Sequence, residues 1–305
     1  MKIRKLMAVG ATGLLLLTAC DDDGGSTESE SPSDAMTTGA PTDAAPEPAA
    51  LAVTATDDGA GAGYTFEIPA TVDAGATRIE LSNTGGEPHH GQLITFNEGE
   101  SAESFLAALQ DGGEAAALPL ISLEGGTGAV DPGGSSSASG ITELTPGSYA
   151  FVCFIPAADG VPHLAKGMLT EFEVVEAEAA AAAPAGEAVS LVDYGIQLPA
   201  GIGGDATLTV TNATVAGEPH EMNILQLADG ATADDVFAWF AAPEGPPPFA
   251  SVGGLNAINP GATSTVQLDL GPGSYLFLCN IPSVVPENEG KSHAVLGMVA
   301  PFEVT

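Results

Sequence analysis

Pro146-Gly147-Ser148-Tyr149-Ala150-Phe151-Val152-Cys153 and Pro272-Gly273-Ser274-Tyr275-Leu276-Phe277-Leu278-Cys279 are one motif written twice. In each, a Pro-Gly turn opens a short run of aromatic and aliphatic residues, the composition of a strand covered on both faces. Each run ends on a cysteine. Upstream the copies stay in step: Gly86-Glu87-Pro88-His89 returns as Gly217-Glu218-Pro219-His220, and Tyr64-Thr65-Phe66-Glu67-Ile68-Pro69 as Tyr194-Gly195-Ile196-Gln197-Leu198-Pro199. Downstream, Gly167-Met168 returns as Gly297-Met298, and Phe-Glu-Val follows in both. A repeat this long is a duplicated domain, because solenoid units are far shorter.

Each copy reads as strands. Thr77-Arg78-Ile79-Glu80-Leu81 and Thr207-Leu208-Thr209-Val210-Thr211 alternate with period two, and Gly and Pro clusters separate such runs. The expected class is all-β, two tandem β-sandwiches. One short helix per copy is inserted as a packed lid. Ser101 caps Ala102 to Leu109, and Thr232 caps Ala233 to Phe240 with Asp235 in the first turn. The expected domains are 51–176 and 188–305, joined by an Ala-rich linker at 177–187 that contains Pro184 and serves as the hinge.

The N-terminus reads as an address. Lys2, Arg4 and Lys5 precede an apolar run from Leu6 to Ala19, too short to span a membrane comfortably. It ends at Leu17-Thr18-Ala19-Cys20, which resembles the lipobox of bacterial lipoproteins. The resemblance implies a signal peptide at 1–20, lipidation of Cys20, and an exported protein anchored at the cell membrane. Residues 21–50, rich in Asp, Ser, Thr, Pro and Ala, hold too few large apolar groups to fold and read as a tether.

Six Lys+Arg stand against 40 Asp+Glu in 305 residues, and beyond Cys20 the only cations are Arg78, Lys166 and Lys291. Such a charge repels nucleic acid and anionic headgroups; it serves solubility or steers a cationic partner toward the chain.

Chemistry-bearing residues are scarce enough to count. Of three Cys, Cys20 belongs to the lipobox; of five His, only His90 lacks a counterpart, Glu221 standing there instead. What remains is His89, Cys153, His163, Met168 in one copy and His220, Cys279, His293, Met298 in the other. Two imidazoles and a thiolate with a weak axial thioether suit copper cycling between its two oxidation states. Buried Cys and Met also serve as plain core, and two exported cysteines can pair as a disulfide. Lys166 and Lys291 lie inside the loops that carry these residues.

The pattern resembles the cupredoxin family, which includes plastocyanin, azurin and the type 1 site of copper nitrite reductases. The matching residues are Asn83, Pro88-His89, Gly147 to Pro156 and His163 to Met168 in one copy. In the other they are Asn212, Pro219-His220, Gly273 to Pro282 and His293 to Met298. The resemblance implies Greek-key sandwiches with copper near one pole, held by the eight residues named above. The second halves read Cys-x9-His-x4-Met and Cys-x13-His-x4-Met, longer than in small cupredoxins. The longer loop of the second copy loosens the constraint on His293, which makes copper there the less secure expectation. Electron transfer is the implied function, with a cationic redox partner such as a cytochrome. A Cu(I) buffer or chaperone, or a metal-free binding module on the same fold, are the alternatives. An enzyme is not expected: a catalytic copper needs further histidines, and only His90 is left over.

Overall fold

The computed structural model describes residues 47–305. The expected signal peptide, Cys20 and most of the tether lie outside the described residues.

Alternation builds the strands. In Gly75–Asn83, Ile79 and Leu81 face inward while Arg78 and Glu80 face solvent. The first half runs β1 (Ala49–Thr56), β2 (Thr65–Glu67), β3 (Thr71–Asp73), β4 (Gly75–Asn83), β5 (His89–Phe96), β6 (Ile121–Val130), β7 (Ala138–Leu144), β8 (Gly147–Val152) and β9 (Leu169–Val175). The second half runs β10 (Glu187–Val192), β11 (Gly195–Gln197), β12 (Thr207–Asn212), β13 (His220–Leu227), β14 (Phe249–Ile258), β15 (Thr263–Leu268), β16 (Gly273–Leu278) and β17 (Val299–Val304).

Each half is a two-layer β-sandwich, and both layers continue from one half into the other. One layer has the order β2-β1-β4-β7-β15-β12-β10-β11. The other has the order β3-β9-β8-β5-β6-β14-β13-β16-β17. The junction ladders are β7 with β15 and β6 with β14, both antiparallel.

Their registers are self-complementary. Thr127 faces its counterpart Leu255, and Gly140 faces its counterpart Val266. Val130 faces Val252 and Ile258 faces Glu124, pairs that exchange under a local twofold. Because β6 and β14 run in opposite directions, the end of β6 beside His89 and the end of β14 beside His220 point opposite ways. The linker does not hang free as a hinge: Ala181 O accepts from Ala76 N at 2.8 Å, and Ala183 N donates to Glu143.

The apolar runs β8 and β16 are covered on both faces, as their composition requires. Tyr149, Phe151 and Cys153 point into the sandwich core, while Ala150 and Val152 pack under Phe105 and Leu109 of the helix Ala102–Gly112. In the second half Tyr275, Phe277 and Cys279 point inward, and Leu276 and Leu278 pack against Val236 of the helix Ala233–Ala241. Both helices are lids; the first half also holds a second short helix, Glu114–Ala117, beyond the single one expected. Ser101 and Thr232 close capping boxes with Ser104 and Asp235. The first helix runs past Leu109 and stops at Gly113, whose φ of 68° breaks the helical path. No helix among the described residues is long and apolar enough to cross a membrane.

Candidate metal centre

Period-two alternation carries Cys153 inward as the residue that follows β8, on the same side as Phe151. His89 opens β5, and a buried asparagine places it: Asn83 Nδ2 donates to Glu87 O at 2.8 Å and to Val130 O at 2.9 Å. Asn212 makes the same pair of bonds before His220, to Glu218 O and Ile258 O.

The Cys–His–Met loop is laced by backbone bonds. Leu164 N donates to Cys153 O, His163 N to Ile155 O, and Met168 N to His163 O. Gly167, at φ 109°, turns the chain back between His163 and Met168. The second half repeats every one of these bonds, from Ala294 N to Cys279 O, His293 N to Ile281 O, and Met298 N to His293 O. Gly297 takes φ 114°. The extra loop residues do not loosen His293. They lie in the loop that a bridge between Pro282 and Ser292 closes off, matching the bridge between Pro156 and Pro162, so both ligand frames are alike.

The side chains converge. His89 Nδ1 lies 3.0 Å from His163 Nδ1, and Cys153 Sγ lies 4.0 Å and 3.5 Å from these two nitrogens. In the second half the two Nδ1 atoms of His220 and His293 are 3.1 Å apart and Cys279 Sγ is 3.4 Å from His293 Nδ1. All six residues are fully buried. Met168 and Met298 are buried in the same clusters as the two cysteines and accept, through their carbonyls, from Cys153 N and Cys279 N.

A trigonal metal with bonds of about 2.0–2.3 Å places its donors roughly 3.5 Å apart. Two imidazole nitrogens and one sulfur at that spacing, with a thioether in the same core, match copper's preference. These are copper donor sets, one in each half.

No protein-family model matches the chain, and no curated protein does. Among solved structures it is similar to a multicopper oxidase at 17% identity, covering 84% of this chain and 88% of that one, with a TM-score of 0.24. It is also similar to auracyanin from Roseiflexus castenholzii at 18% identity, covering 39% and 94%, TM-score 0.26. A third is auracyanin A, a "blue" copper protein from Chloroflexus aurantiacus, at 16% identity, covering 42% and 100%, TM-score 0.27. Likenesses this slight carry no argument; the donor atoms carry the metal assignment.

Burial disfavours charge on both cysteines and on His89, His220 and His293. Burial pushes the Cys153 thiol up to about 12 and the Cys279 thiol well above its ordinary value. Burial also lowers His89, against the pull of Asp57, and takes His220 down to about 4. Both cysteines are free thiols, so no disulfide joins the halves.

His90 stands outside the cluster. Its Nε2 accepts from Phe154 N at 2.8 Å, the amide next to Cys153, and burial lowers its pKa to about 3. Glu221 takes the same post opposite Asn280 N at 2.8 Å. The pair are one structural acceptor in two chemical forms. Lys166 is paired with Asp159 at 2.6 Å and lies 5.8 Å over the Tyr64 ring, at the edge of the first site. Three further groups line the first site; Glu87 and Tyr64 fall in repeated motifs that do not reveal their partners, and Asp57 carries no signal in the sequence. Asp57 bonds His89 Nε2 at 2.8 Å, Glu87 bonds His163 Nε2 at 2.8 Å, and Tyr64 stacks on His163 with centroids 4.4 Å apart.

Proposed function

We propose that the chain is an exported electron carrier holding one type 1 copper in each half, tethered to the cell membrane through lipid on Cys20. The observation that carries this is the closed donor set: two imidazoles, a thiolate and a neighbouring thioether, all fully buried in a rigid strand frame. Such a frame holds both oxidation states with little rearrangement. In this reading copper supplies the one-electron change, and the chain's residues hold the metal and exclude water from it. Burial of every donor favours outer-sphere electron exchange over turnover of a bound substrate. A second, catalytic copper would need histidines beyond these sets, and His90 is committed to Phe154 N. The excess of acid suits a cationic partner such as a cytochrome and repels nucleic acid.

The test is a Cu(II) titration of the full chain followed by its visible spectrum. Two equivalents should bind and give an intense thiolate-to-copper band. Cys153→Ser and Cys279→Ser should each remove about half of it, and the double variant all. The band should bleach and return through redox cycles without loss of metal. Tight Cu(I) binding without the band would instead identify a buffer, and failure to bind either ion a metal-free module.

A further inference from the structure

The two halves carry the same donors, but what stands behind those donors differs. In the first half each imidazole rests its outer nitrogen on a carboxylate, His89 on Asp57 and His163 on Glu87, both at 2.8 Å. That bond keeps the proton on Nε2 and turns the Nδ1 lone pair toward the metal, and it makes the ring a stronger donor. The carboxylates are themselves held. Asp57 accepts from the backbone of Gly59, Gly86 and Glu87, and Glu87 accepts from Tyr64 Oη at 3.2 Å.

In the second half Tyr194 Oη still donates to Glu218 at 3.2 Å, but the carboxylates are drawn off the imidazoles. Asp193, the counterpart of Asp57, is engaged by the Thr214 hydroxyl and the amides of Val215 and Ala216. Among the described residues nothing hydrogen-bonds His220 Nε2, although it is buried. Glu218 lies 3.5 Å from His293 Nε2, too far for a good bond, and accepts from Ser283 Oγ and Val284 N instead. Tyr194 is tilted 59° to His293 at 5.3 Å rather than stacked. Two insertions explain the change. The segment from Asn212 to His220 is two residues longer than that from Asn83 to His89, and the Cys–His loop is four residues longer; they bring Thr214 to Ala216 onto Asp193, and Ser283 and Val284 onto Glu218.

We propose that the carboxylate pair Asp57 and Glu87 makes the first-half site the tighter for Cu(II) and the harder to reduce, while the second-half site, whose imidazoles lack these partners, releases copper and accepts an electron more readily. Asp57 and Glu87 are positioning residues, acting through His89 and His163. The inference rests on the copper reading above and adds an order between the sites. Glu221, beside Cys279, is a carboxyl where the first half has His90, so the comparison of the two sites is joined by variants within one site.

The full chain bearing Cys279→Ser keeps only the first site, and the chain bearing Cys153→Ser only the second. Each is titrated with Cu(II) against a chromophoric chelator and then redox-titrated at the thiolate band. The first-site chain should bind Cu(II) at least tenfold more tightly and show the lower potential. Within it, Asp57→Asn and Glu87→Gln should each weaken Cu(II) binding by about 10–100-fold and raise the potential. Glu218→Gln in the second-site chain should change affinity by well under tenfold. If Asp57→Asn does not fold, Glu87→Gln decides alone, since loss of packing does not by itself move a potential in a set direction. Equal affinities and potentials in the two chains, or no response to Glu87→Gln, would overturn the proposal and leave the copper reading standing. No copper band in either chain would remove both.

Discussion

Asp193 shows how a single side chain can pin a loop. The Thr214 hydroxyl, working against burial and helped by the amides of Ala216 and Val215, holds its carboxyl below the ordinary Asp value of 3.8. A carboxyl depressed in the folded state stabilises it above the unfolded pKa, and that contribution drains away as pH falls through the folded value. Urea unfolding of the full chain should therefore lose part of its stability below about pH 3.8, and Asp193→Asn should flatten that part of the curve. An unchanged acid limb in the variant would show that Asp193 does not hold the loop. This residue was silent in the sequence for a plain reason. Among 40 acids no single Asp carries information, whereas His and Cys are rare enough that their recurrence in step pointed to the six residues that converge, with Met168 and Met298 buried in the same clusters. Glu87 and Glu218 lay inside a recognised repeat, Gly-Glu-Pro-His, yet nothing local to that motif indicates that the glutamate reaches the other histidine, 76 residues away in the first half.

At the scale of elements, local rules were legible and cross-half contacts were not. Alternation in β4 and β12, the apolar β8 and β16, and the two capped helices all follow from neighbours within a few residues. Gln92 does not. It sits in the buried middle of β5, and its amide donates to Leu93 O, Gly125 O and Ala257 O while its Oε1 accepts from Ala257 N at 2.9 Å. Asn223 does the same from β13, accepting from Ala129 N at 3.1 Å, and its amide occupies the space a side chain on Gly128 would need. The partners are 165 and 94 residues distant, so the only trace in the sequence is a polar amide among apolar neighbours. Gln92→Ala leaves the Ala257 amide buried and unpaired, and should cost about 1–3 kcal/mol in chemical denaturation. Asn223→Ala should cost less, because the Ala129 end of that bond is only partly buried.

At the scale of the whole molecule, the duplication and the sandwich class could be read, but the merging of the halves could not. A tandem repeat joined by an Ala-rich stretch looks like two bodies on a hinge. Instead both layers carry hydrogen-bonded ladders across the junction, with Gln92, Asn223 and Asn256 bonded from one half to the other. The halves should then melt as one cooperative unit: scanning calorimetry of the copper-free chain should show a single transition whose calorimetric and van't Hoff enthalpies agree. Two resolved peaks would mean that the ladders contribute little.

The local twofold has a consequence for traffic of charge. Three inter-strand gaps and about six residues of strand length separate His89 from His220, which puts the two histidines roughly 25 Å apart at opposite tips. If both sites hold copper as proposed, electron exchange between them across such a gap is slow, and each end of the molecule would exchange chiefly with its own partner. On that reading the duplication would supply two separate terminals, each open to a visitor while the other is engaged.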